Sequence, residues 1–87
     1  MILHLTPDQF SSVKGALSVA PGLTLTMANE NTGTLTTPDV ELACDYDGVS
    51  AINVTVVKRR SLAAKFAPES VIDEHIADMF NQYLQKQ

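Results

Sequence analysis

The chain has 87 residues, 45% of them hydrophobic and 18% charged, with a formal charge of −4. Those values describe a single globular domain, and the acidic balance argues against nucleic-acid binding, which rests on neutralising phosphates. Tryptophan is absent, which leaves the core to aliphatic residues, and the one cysteine, Cys44, excludes an internal disulfide and fits a reducing compartment.

The N-terminus shows no basic segment leading into a long apolar run, so no signal peptide is expected. No window approaches the roughly 18–20 apolar residues of a membrane span. The expectation is a cytoplasmic protein with no membrane span.

A first helix is expected over residues 7–19. Thr6 suits the N-cap, Pro7 the first helical position, and Gln9 completes a capping box. Asp8 favours the positive end of the helix. Leu5 and Phe10 sit at the positions of a hydrophobic staple. Phe10, Val13 and Leu17 recur at helical spacing, with Ala16 and Ala20 beside them. Gly15 weakens the helix and Pro21-Gly22 ends it.

Four strands should follow, over 23–28, 33–37, 40–46 and 49–57. Leu23, Leu25 and Met27 alternate with Thr24, Thr26 and Ala28, the pattern of a half-buried strand. A turn at Asn29-Glu30-Asn31 would place Asn31 in the left-handed conformation and pair Leu25 with Leu35. Pro38-Asp39 marks the next turn. Val40, Leu42 and Cys44 then form one apolar row, and Ile52, Val54 and Val56 another, on either side of Asp47-Gly48. A two-residue loop would put these rows on opposite faces. The three-residue loop Tyr46-Asp47-Gly48 puts both on one face, pairing Asp45 with Val49 and Leu42 with Ile52, with Gly48 left-handed.

Ser61 to Ala67 reads as a connector with room for a short helical turn. A second helix is expected over 68–85, opened by Pro68 and Glu69. Ile72, Ile76, Met79, Phe80 and Tyr83 make its apolar stripe, opposite Glu74, Asp78, Asn81 and Gln85. The fold class is therefore α+β: an N-terminal helix, a four-stranded antiparallel meander and a C-terminal amphipathic helix, both helices on one sheet face.

No catalytic constellation or cofactor motif appears, so the balance falls against an enzyme, and no cofactor or metal is expected. His75 with Glu74 and Asp78 has the spacing of a partial metal site, but lacks a second His or Cys ligand and reads as a boundary residue. His4 reads as a solvated residue near the terminus. Asp45-Tyr46-Asp47-Gly48 resembles the start of a calcium loop, yet a strand follows it and the turn already demands Asp and Gly. Cys44 alternates with Leu42 and reads as a buried thiol.

Two surfaces remain. Lys58, Arg59, Arg60 and Lys65 gather four of the six basic residues within eight positions, a candidate site for an anionic group. The other sheet face would display Thr24, Thr26, Thr34, Thr36, Ala43, Asn53 and Thr55, weakly charged for a solvated face and a candidate interface. The reading is a non-catalytic protein-interaction module. Its partner is a second copy, through that face or a sheet edge, or another protein. The alternative is a carrier of a small hydrophobic or amphipathic anionic ligand, held under the last helix in a cavity that Met27 and Met79 would make adaptable, with the basic cluster at its mouth.

Overall fold

A computed structural model describes residues 1–85. The elements are β1 (Ile2–His4), α1 (Pro7–Val19), β2 (Thr24–Met27), β3 (Thr32–Thr36), β4 (Val40–Tyr46), β5 (Ala51–Arg59), α2 (Leu62–Phe66) and α3 (Glu69–Gln85). The strands form one antiparallel sheet in the order β1-β5-β4-β3-β2, with the helices packed on it. The α+β architecture is as expected, except that the sheet has five strands and not four. The added strand is β1. Three residues show no readable alternation, but β5 offers them an edge: Ile2 pairs with Asn53, Leu3 with Ile52 and His4 with Ala51. Met1 and Val54 exchange two N–H···O bonds, each 2.8 Å.

Helix α1 starts where its local chemistry directs. The Thr6 hydroxyl accepts the Gln9 N–H and the Gln9 side chain accepts the Thr6 N–H, a reciprocal capping box. Leu5, Phe10, Val13 and Leu17 are buried. At the other end Gly22 takes a φ of 78°, open to glycine because it has no Cβ. α1 connects the two edge strands, so it crosses the whole inner face of the sheet and packs against α3 and β2.

Strands β2 and β3 pair as expected, Leu25 with Leu35. Their turn does not. Among the described residues no non-glycine residue has a positive φ, so Asn31 is not left-handed. The Asn29 carboxamide oxygen instead accepts the N–H groups of Asn31 and Thr32, both at 2.9 Å. This Asx turn satisfies the loop backbone without left-handed geometry.

The β4–β5 register also differs from the expected one. Tyr46 pairs with Ile52, Cys44 with Val54 and Leu42 with Val56, so Leu42 faces Val56 and not Ile52. The two apolar rows do share one face. A slip of four residues preserves the alternation, which is why the pattern does not detect it. The Asp47 carboxylate decides the register. It accepts the N–H groups of Val49, Ser50 and Ala51 at 2.7, 2.8 and 3.1 Å, and thereby holds residues 47–50 as a loop. β5 consequently runs two residues later than 49–57, and Gly48 takes a φ of 84° as anticipated. Further along, Glu41 pairs with Lys58, leaving Val57 as the extra residue of a β-bulge.

Helix α2 is the connector's short turn, capped by the Ser61 hydroxyl accepting the Ala64 N–H at 3.0 Å. α3 buries Ile72, Ile76 and Phe80. They meet Val13, Leu35, Leu42, Ile52 and Val54 in the core between helices and sheet.

Candidate protein interface

The register places the expected interface residues on one uncovered sheet face. Thr24, Thr36, Glu41 and Lys58 form one cross-strand row. Thr26, Thr34, Ala43 and Thr55 form the next, and Thr32, Asp45, Asn53 and Ile2 a third. The Thr32 hydroxyl donates to the Asp45 carboxylate at 3.2 Å. The middle row carries no charge.

β2 is an edge of the sheet. The Ala28 N–H donates to the Thr32 carbonyl at 2.8 Å, so Ala28 faces β3. Alternation along an antiparallel ladder makes Thr24 and Thr26 face β3 as well, and turns the N–H and C=O groups of Leu25 and Met27 to the open edge. The segment from Leu23 to Ala28 contains no charge and no proline. Edge strands commonly carry one or the other, or a bulge, to discourage pairing with another chain. Gly33, opposite Met27, keeps β2 and β3 close: a Cβ there would lie 2.8 Å from the Thr26 carbonyl oxygen and 2.5 Å from the Met27 sulfur.

The basic cluster divides. The Arg59 guanidinium donates through Nη1 to the carbonyls of Ala64 at 3.1 Å and Ala67 at 2.7 Å, tying α2 to β5. Arg60 donates to the Thr37 carbonyl at 2.7 Å, on the loop between β3 and β4. Lys58 lies on the outer face, and Lys65 is exposed on α2. Lys58 and Arg59 line a common groove of about 420 Å³ beside α3, and Glu69 and Asp73 form its helical wall. Those two carboxylates are acidic residues four apart on α3. Their spacing is visible in the sequence, but the strand they face is not.

The remaining candidates take plain structural roles. Burial pushes the Cys44 thiol up to about 11, so it is not a thiolate at neutral pH. Three backbone N–H groups, that of Val49 first, hold the Asp47 carboxyl below its ordinary value, which accounts for this Asp through the turn. His75 is exposed at the rim of a shallow apolar pocket with Val71 and Ala67. Among the described residues no group of three His, Cys, Asp or Glu could hold a metal ion. No described helix is long and apolar enough to cross a membrane. The apolar cavity between α1, α3 and the sheet, lined by Phe10, Leu17, Leu25, Met27 and Cys44, has about 20 Å³, room for about one water molecule. Leu62 and Phe66, one helical turn apart on α2, are 72% and 83% exposed, an apolar pair that the sequence reading did not single out.

No protein-family model, curated protein or solved structure matches the chain.

Proposed function

We propose that the protein is a non-catalytic interaction module that self-associates edge to edge through β2. The observation behind this reading is the uncharged, proline-free edge on which Leu25 and Met27 present unpaired backbone groups. A two-fold axis through Thr26 would pair Leu25 with the partner's Met27. The two copies would then share four backbone hydrogen bonds and one continuous ten-stranded sheet. In this register Thr26 stands directly opposite the partner's Thr26, where side chains approach most closely.

The expected strength is modest. Four hydrogen bonds at about 1 kcal/mol net each contribute about 4 kcal/mol, which the freedom lost on association offsets. The net affinity therefore comes from contacts between Leu25 and Met27 side chains across the new pair, and a Kd of about 1 mM is expected. Sedimentation velocity from about 10 µM to about 1 mM tests the reading. The wild-type protein should shift towards a dimer. The Thr26→Lys variant should stay monomeric, because two ammonium groups would face each other across the axis. A wild-type monomer throughout that range, or an equally dimeric variant, refutes edge pairing.

A further inference from the structure

A shallow apolar groove lies between α2 and α3. Buried Val40, Ala64 and Ile72 form its floor. Ala63 and Ala67 make one side, and Val71 and His75 of α3 the other. Three of these residues are alanine, and the space they leave, about 210 Å³, accepts one large aliphatic side chain. Exposed Leu62, Phe66 and Val71 extend the apolar surface around it. An apolar patch with a polar rim is the mark of an interaction site. The charge at the groove has one sign. Among the described residues that line it, Asp39 is the one formal charge and none is Lys or Arg. The Asp39 carbonyl accepts the N–H groups of Arg60 and Ser61 at 2.7 and 3.3 Å, which holds this residue beside the start of α2. Glu74 and Asp78 stand at helical spacing from Val71 and so share its exposed face of α3. The neighbouring cations turn elsewhere: Arg60 donates to the Thr37 carbonyl, and Lys65 is about half a helical turn from Ala63. Among the described residues Asp39, Glu74 and Asp78 have no ion-pair partner.

We infer that this groove docks a basic amphipathic helix of another protein, which inserts one leucine-sized side chain over Val40 and Ile72 and carries lysine or arginine one turn to either side. This is helix-in-groove recognition, in which spaced apolar anchors supply the affinity. The alanines let the incoming helix approach closely, and its anchor loses contact with water between Ala63, Ala67 and Val71. The flanking cations reach Asp39 on one rim and Glu74 and Asp78 on the other. That acidic rim selects a basic helix over an acidic one, and the formal charge of −4 on the whole chain steers the same choice. The groove meets the sheet at Val40 of β4, two strands from β2, so it does not depend on pairing at that edge.

The test uses the Thr26→Lys variant, so that the outcome is separate from pairing at β2. The probe is an acetylated, amidated, alanine-rich peptide of about 16 residues, long enough to populate a helix, with one central leucine and lysines one turn to either side. Amide proton–nitrogen spectra are recorded during titration. The expected result is a saturable shift of the Ala63, Val71 and His75 amides. Affinity should fall at least tenfold when the leucine of the probe becomes alanine, when its lysines become glutamates, or when Ala63→Leu fills the groove. Glu74→Lys and Asp78→Lys together should have the same effect. Ala63, Glu74 and Asp78 are exposed, and the dispersion of each spectrum reports that the variant is folded. No saturable shift at millimolar probe overturns the inference. So does equal binding of the glutamate probe, or unchanged binding by Ala63→Leu. Shifts of the same amides that grow with protein concentration in the absence of probe overturn it too, in favour of a second copy as occupant.

Discussion

The ring of Tyr46 lies against that of Phe10, with centroids 4.2 Å apart and planes 14° from parallel. The first turn of α1 is thereby joined to the end of β4. The Tyr46 hydroxyl donates to the Leu5 carbonyl at 2.9 Å, so one side chain holds both the staple residue before α1 and an aromatic inside it. Removing the hydroxyl leaves a buried carbonyl without its partner, at a cost of about 1–3 kcal/mol. Tyr46→Phe should keep the stack and lower stability within that range. Phe10→Ala, which loses the stack and opens a cavity, should cost about 3–5 kcal/mol. Urea denaturation of both variants checks the order. A Tyr46→Phe variant as stable as the wild type would mean that water satisfies Leu5.

The Asp47 carboxylate gives the β4–β5 loop a dependence on pH. Its N–H partners, Val49 first, hold its folded-state value below the ordinary one. For a depressed carboxyl, the stabilisation is fully present above the unfolded value of about 3.9 and is lost as pH falls towards the folded value. Asp47→Asn keeps an acceptor oxygen but no charge, so its stability should lack this dependence. The stability gap between wild type and variant should be constant near neutrality and narrow below about pH 4. Paired urea titrations across that range measure it. A gap that widens on acidification would contradict the assignment.

How much of this was legible in the sequence depended on the range of the interaction. The α1 cap was legible because Thr6 and Gln9 satisfy each other within one turn. The outer face with Thr26, Thr34, Ala43 and Thr55 was legible because side-chain direction alternates along any strand. The β4–β5 register was not, since alternation is unchanged by an even slip and the choice falls to one carboxylate binding three N–H groups. β1 was too short to show a period, and its place depends on β5, some fifty residues away. Arg59 and Arg60 read as free charge in the sequence because nothing local shows that the carbonyls of Ala64, Ala67 and Thr37 lie within their reach.

Cys44 offers a probe of core opening. A thiol at about 11 in place of its ordinary 9.0 has about a hundredfold less thiolate at neutral pH, and its side chain is also buried. Alkylation by iodoacetamide in native buffer should therefore be far slower than in about 6 M urea, and should accelerate together with unfolding across a denaturant series. Mass spectrometry of quenched samples follows the reaction. Native-state labelling at the rate of a free thiol would show that the sheet opens around Cys44 without global unfolding.

Arg59 should control α2 more than the fold. Of the five residues of α2 only Ala64 is buried, while Leu62 and Phe66 face solvent, so few apolar contacts hold this helix in place. Its attachment rests on the Arg59 guanidinium, which donates to Ala64 and Ala67 together. A lysine at this position carries its ammonium on a shorter, flexible stem and lacks the rigid guanidinium that holds Nη1 between both carbonyls. Arg59→Lys should therefore loosen α2 locally: amide exchange at Ala64 and Lys65 should rise at least tenfold, equivalent to about 1.4 kcal/mol of lost protection. Exchange in β4 should change little, because opening α2 leaves the core around Leu42 and Ile76 intact. Hydrogen-exchange mass spectrometry separates these peptides. Equal acceleration in α2 and β4 would mean that α2 unfolds only with the whole domain, and unchanged exchange would remove Arg59 as its anchor.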